Sequence, residues 1–161
     1  MSIEQSIQQF LYLEAELIDE KRWDEWLELF DENVEYWVPA WDGDHDLTDD
    51  PRNQMSLMFY DTRSGLEDRV FRLKTGKSAA STPLPRTSHQ VTNIRFIAEG
   101  ENGYRVKANW TAHSFRKREL TTFCGTYEYL LRVLGGSFKI EKKKIVVVND
   151  LIPRVLDIYS I

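Results

Sequence analysis

Few side chains in this sequence have types that carry chemistry. The chain has one cysteine, Cys124, and three histidines, His45, His89 and His113. A Rieske iron–sulfur centre takes two cysteines and two histidines, so this chain cannot supply one. A non-haem iron facial triad takes two histidines and a carboxylate converging on one point. His45 falls in a loop, His89 near a strand start and His113 near a strand end, and no two of them have the i, i+4 spacing of one helix face. No phosphate loop, dinucleotide fingerprint or Gly-x-Ser-x-Gly elbow is present. Cys124, between Phe123 and Gly125 with no basic neighbour, reads as a packing residue.

What remains is one acid–base pair. His89 could meet Asp61 or Glu14 inside a folded pocket, and such a pair could abstract a proton or assist a dehydration at hydrogen-bond distance. The alternative is a structural histidine bonded to a carboxylate or to backbone. Glu14 is notable because it sits in an apolar stripe of Ile3, Ile7, Phe10, Leu11, Leu17 and Ile18. A carboxylate there needs a partner or a proton. It is either half of an ion pair with an arginine or a pocket acid. The run Asp42, Asp44, His45, Asp46, Asp49 and Asp50 matches neither a calcium loop nor a zinc pattern. It reads as a solvated acidic loop, available to a partner subunit.

The elements that must position these residues follow from periodicity. Ser2 and Gln5 form a capping box opening a helix that runs to about Glu20. Trp23, Trp26, Leu27 and Phe30 make one apolar stripe at i, i+3, i+4 and i+7 of a second, short helix. Val34, Tyr36 and Val38 share one face of a strand that Pro39 stops. Ala40 to Asp50 reads as loop, and Met55 to Tyr60 as an apolar segment. Ser64 with Glu67 predicts a second capping box, and Leu66, Val70 and Leu73 a third helix ending at Gly76. The stretch from Ser78 to Pro85 reads as a connection.

After Arg86 the period changes to two. Thr87 to Ala98 predicts a strand, and Glu99 to Gly103 a turn. Tyr104, Val106, Ala108, Trp110 and Ala112 alternate with polar residues on the next strand. Arg116 to Glu119 is a charged reversal. Thr121, Phe123, Tyr127, Tyr129, Leu131 and Val133 then share a face, Gly135-Gly136 turns the chain, and Phe138 to Val148 is the last strand. Its run Lys142-Lys143-Lys144 reads as solvated. Helices followed by a long meander predict an α+β domain spanning 1–161, with N-terminal helices packed on a long curved, antiparallel-rich sheet. Such a cone can hold a small ligand or be filled by side chains.

Bulk properties limit the partners. A chain of 161 residues suits one domain. Its net charge of -5 gives no electrostatic reason to expect nucleic acid or an anionic membrane. No apolar run approaches a membrane span, no signal peptide is visible, and the single cysteine suits a reducing, cytoplasmic setting.

Several stretches together resemble the small (beta) subunit of the aromatic-ring-hydroxylating dioxygenases. They are Glu14-Ala15-Glu16-Leu17-Ile18-Asp19-Glu20, Trp26-Leu27-Glu28-Leu29-Phe30, Val34-Glu35-Tyr36-Trp37-Val38-Pro39, Arg86-Thr87-Ser88-His89 with Asn93, and the tail Leu156-Asp157-Ile158-Tyr159. The segment from Asp49 to Leu57 with Tyr60-Asp61 is most similar to the branch acting on benzoate, toluate and anthranilate. Ser88 departs from the family's form, in which a second basic residue is common. The resemblance implies a cystatin-like, NTF2-like cone. It implies a non-catalytic, structural subunit in a hexamer of three large and three small subunits (alpha3beta3) with contacts between small subunits. The Rieske 2Fe–2S cluster and mononuclear Fe(II) would lie in the large subunit, and a reductase would deliver electrons from NADH.

Trp37, Trp41, Arg86, His89 and Tyr159 are then the interface or structural candidates. Trp37 faces opposite to Tyr36, Trp41 lies in a loop, and interface centres favour such residues. The competing reading is a stand-alone lyase or isomerase of the same fold using Asp61 and His89. A third is a small-ligand binding module.

Overall fold

The computed structural model describes residues 1–76, 82–149 and 156–161. Helix α1 (Ile3–Asp19) opens on the expected capping box, with Ser2 and Gln5 satisfying each other's backbone donors. It buries Ile7, Phe10, Leu11, Glu14, Leu17 and Ile18 along one face. Helix α2 (Trp23–Glu28) is shorter than the apolar stripe suggests, because the chain becomes strand at Phe30. The stripe still works as one packing unit. Trp26 meets Trp23, Phe30 and Tyr36 edge-on, with ring centroids 5.7, 4.8 and 6.4 Å apart. Such contacts add roughly 0.5–1.5 kcal/mol each beyond burial.

Strand β1 (Phe30–Pro39) follows. The expected loop carries a short hairpin, β2 (Trp41–Asp42) with β3 (Asp46–Leu47), before β4 (Ser56–Tyr60). Helix α3 (Arg63–Thr75) ends, as expected, on Gly76 in the left-handed region at φ 65°. Its start differs from expectation. Thr62 is the N-cap without a side-chain cap bond, and Glu67 pairs with Arg63 at 2.9 Å instead of closing a box with Ser64. The connection expected over 78–85 lies partly outside the described residues.

Strands β5 (Arg86–Ala98), β6 (Gly103–Arg116), β7 (Glu119–Leu134) and β8 (Ser137–Val147) form the antiparallel meander. The full sheet has the order β4-β1-β8-β7-β6-β5. Strand β1 joins β8 in parallel, a pairing the local pattern gives no hint of. The helices pack on one face of the sheet, over Val34, Tyr36, Trp110, Phe123, Tyr129 and Leu131.

Two bulges bend this sheet. On β5, Asn93 and Ile94 together oppose Ala108, and Asn93 takes φ 56°, a conformation asparagine tolerates. On β8, the register with β7 slips between Lys142 and Ile140. Phe138 and Ile140 point inward before the slip, and Lys143, Ile145 and Val147 after it. The extra residue, Glu141, changes the parity of the strand. That is why Lys143 enters the core, whereas an unbroken alternation from Phe138 and Ile140 would have pointed it outward.

Candidate functional site

The inside of the cone holds a buried charge pair. Lys143 Nζ donates to Glu14 Oε2 at 2.6 Å, and their side chains are 0% and 3% exposed. Trp26 Nε1 donates to the same oxygen at 3.2 Å, and the Tyr129 hydroxyl donates to Oε1 at 2.6 Å. The carboxylate thus accepts from three donors, carried by α2, β7 and β8. Glu14 has the ion-pair partner its position demands, but the partner is a lysine and not the expected arginine. The guanidinium-rich stretches lie elsewhere, and the bulge at Glu141 turns a lysine inward.

Aromatic rings enclose the cation. Lys143 Nζ lies 4.4, 5.4 and 5.9 Å from the ring centroids of Tyr127, Tyr129 and Tyr36. Tyr127 also stacks on Trp110 at 5.4 Å. Burial pulls the Lys143 ammonium below the usual lysine range, against the opposing pull of the Glu14 carboxylate. Burial, reinforced by the charge of Glu14, pushes the Tyr36, Tyr127 and Tyr129 hydroxyls well above the tyrosine range. They stay neutral. This interior is a closed, polar-centred aromatic cluster.

His89 has a different carboxylate from either one expected. Its Nδ1 lies 2.6 Å from Asp19 Oδ1, and its backbone N–H donates to Asp19 Oδ2 at 2.8 Å. Thr87 Oγ1 donates to Asp19 Oδ1 at 2.8 Å. Residues two apart on a strand point the same way, so Thr87 and His89 both reach Asp19 at the end of α1, while Arg86 and Ser88 are exposed. Burial raises the Asp19 carboxyl, but the His89 and Thr87 bonds outweigh it and hold the group below its ordinary value. His89 Nε2 lies 3.3 Å from the Ile161 carbonyl oxygen. The histidine therefore joins α1, β5 and the C-terminal tail, with its side chain 1% exposed.

Asp61 is not part of this arrangement. Its side chain is 57% exposed and faces Arg52 at 3.7 Å, because the tight turn after β4 leaves it at the rim. The structure does not bring Asp61 and His89 together.

The remaining candidates are scattered. Trp37 Nε1 donates to Ser56 Oγ at 2.9 Å, and Lys144 Nζ lies 5.1 Å from its ring. Both residues line an open hollow of about 310 Å³ on the sheet face turned away from the helices, with Glu35, Glu128 and Lys142. Trp41 is half-buried on β2 and donates to the Val147 carbonyl at 2.8 Å, which ties the acidic hairpin to the end of β8. Arg86 stacks over Phe115 at 5.0 Å. Tyr159 is buried in the 3-10 turn Ile158–Ser160, next to Asp157, which accepts two bonds from Arg69 at 3.0 and 2.9 Å.

The donor set does not fit a redox iron centre. Cys124 lies on β7, His113 on β6 beside Thr122, His89 against Asp19, and His45 in the exposed hairpin. Among the described residues no three His, Cys, Asp or Glu side chains are grouped to hold a metal ion. No helix there is long and apolar enough to cross a membrane.

Comparison with known proteins places this arrangement. The family model described as ring hydroxylating beta subunit matches residues 13–154. The 2-halobenzoate 1,2-dioxygenase small subunit of Burkholderia cepacia is 43% identical over 152 residues, covering 94% of this chain and 92% of that one. The benzoate 1,2-dioxygenase subunit beta of Acinetobacter baylyi is 42% identical over 161 residues, covering 100% and 95%. The solved beta subunit of the benzoate 1,2-dioxygenase from Burkholderia mallei superposes with a TM-score of 0.82 at 35% identity, covering 100% and 98%. The fold is the cystatin-like, NTF2-like cone. With that match along most of its length, the chain belongs to the small (beta) subunit family of the aromatic-ring-hydroxylating dioxygenases, in which a small subunit works beside a large one.

Proposed function

We propose that this chain is the non-catalytic scaffold subunit of a cytoplasmic oxygenase that adds both atoms of O₂ to the ring of an aromatic carboxylate. The relatives named for 2-halobenzoate and benzoate support that substrate class. The product is a cis-diol, or a catechol where an amino group leaves. The large subunit carries the Rieske cluster and the mononuclear Fe(II), a separate reductase supplies electrons from NADH, and three subunits of each kind form the oxygenase.

One observation carries the scaffold reading. Glu14, the carboxylate inside the cone, is already held by Lys143, Tyr129 and Trp26. It has no role left as a pocket acid. The lyase reading needs Asp61 beside His89, and these residues have other partners.

The test is purification of the chain alone and together with its large subunit. The co-purified complex should contain iron and labile sulfide and convert benzoate in the presence of reductase and NADH, while the chain alone should turn over nothing. Metal-independent lyase activity of the isolated chain, abolished by His89→Ala, would favour the competing reading.

A further inference from the structure

We propose that the interior of the cone is a recognition site for a primary alkylammonium ion, and that the protein fills it with its own Lys143. The parts of such a site are all present. A carboxylate oxygen, Glu14 Oε2, sits 2.6 Å from the ammonium nitrogen. Three tyrosine rings surround that nitrogen at 4.4, 5.4 and 5.9 Å. Aromatic faces attract a cation through their quadrupole, and the attraction grows when water is excluded. Here the exclusion is complete, since the Lys143 side chain is 0% exposed.

Two of the three bonds to the carboxylate come from groups other than the lysine. Tyr129 holds the second oxygen of Glu14 at 2.6 Å, and Trp26 holds the first at 3.2 Å. The carboxylate is therefore held from α2 and β7 as well as by the β8 cation. The Tyr127 ring is fixed by its stack on Trp110. The Tyr36 hydroxyl is fully buried and has no hydrogen-bond partner among the described residues. Its ring faces the same nitrogen, so the site also owns a spare polar group.

The ligand class follows from what Lys143 contributes. Cutting its side chain back to Cβ removes three carbons and one ammonium, the shape of n-propylammonium. A buried, preformed cavity can take up a small molecule of matching shape. The remaining Glu14 charge would favour a cation over a neutral isostere, because an unpaired buried carboxylate is costly. In the native chain the same geometry means that the cone is occupied in cis. This inference does not depend on the oxygenase reading, since its readout is the stability of the chain and not turnover.

The test is Lys143→Ala in the full chain, with thermal melting and refolding yield followed against n-propylammonium chloride. Sodium chloride and n-propanol at equal concentration are the controls. At about 50 mM, propylammonium should raise the variant's melting temperature by about 4 °C more than either control. The wild type and the double variant Glu14→Gln/Lys143→Met should show no difference between the three additives. If Lys143→Ala does not stay folded unaided, its refolding yield should rise with propylammonium and not with propanol. A folded variant that responds to the three additives alike would overturn the proposal. So would an equal propylammonium effect on the wild type, or a refolding yield insensitive to the amine while the double variant folds.

Discussion

Glu14 on α1 and Lys143 on β8 are 129 residues apart in sequence and 2.6 Å apart in space, inside a ring of tyrosines. The contact ties the first helix to the last strand at the centre of the cone. Removing one member of a buried ion pair strands the other charge, at a cost of roughly 3–5 kcal/mol, whereas replacing both by apolar groups is often neutral. Glu14→Gln and Lys143→Met should each lower the melting temperature by about 10 °C. The double variant should recover more than half of that loss. A thermal-melt double-mutant cycle checks it.

Asp19 gives a pH-dependent contribution whose sign is fixed. Its folded-state carboxyl lies below the ordinary value of 3.8. A lowered carboxyl stabilises the fold above the unfolded value, and that contribution is lost as pH falls through the folded value. Asp19→Asn should therefore cost about 1.5–3 kcal/mol at pH 7, from its charge-assisted bonds to His89 and Thr87. The gap between wild type and variant should narrow below about pH 4 and close once the carboxyl is protonated in both states. Urea melts from pH 7 down to pH 3 measure this gap.

The local features were legible in the sequence, and those set by distant contacts were not. The Ser2–Gln5 cap, the end of α3 at Gly76 and the inward face of β6 depend on neighbours within a few residues, and all are observed. So is the core role of Trp26 and Tyr36. The partner of Glu14 was hidden by a single extra residue. Phe138 and Ile140 are in one phase of the alternation, and Ile145 and Val147 are in the other. That mismatch was a readable sign of a bulge between them, and it would have turned Lys143 inward. The bond from His89 to Asp19 spans 70 residues, and nothing local distinguishes Asp19 from Glu14 or Asp61 as its acceptor. The parallel β1–β8 pairing was equally invisible, because it joins strands from opposite ends of the chain.

Gly125 is required by a close approach. It pairs with Val147 on the neighbouring strand, and a Cβ there would run into the Val146 carbonyl and press on Trp110 Nε1. Gly125→Ala should destabilise the chain by about 1–3 kcal/mol through strand separation. A melting temperature lowered by about 5 °C would show this. Gly43→Ala, where nothing lies within 4 Å but φ is 84°, should cost about 1–2 kcal/mol through backbone strain and not through contact.

We propose that Trp41 serves subunit association as well as packing. Its Nε1 bond to the Val147 carbonyl positions the acidic hairpin, and its ring is partly exposed. Trp41→Ala should weaken the oxygenase so that it dissociates at micromolar concentration, while Trp41→Phe, which keeps a smaller aromatic ring and loses the bond, should retain more of the assembly. Sedimentation of the complex between 1 and 20 μM, chosen to bracket that roughly micromolar range, reads both.

The central claim is that this subunit contributes shape and contact while the large subunit carries the iron chemistry. Its most direct test is metal and activity analysis of the isolated chain beside the reconstituted complex. The chain alone should hold substoichiometric iron and turn over nothing, and mixing with the large subunit should restore iron, labile sulfide and benzoate dihydroxylation. Stoichiometric iron or turnover of any aromatic acid by the chain alone would contradict it.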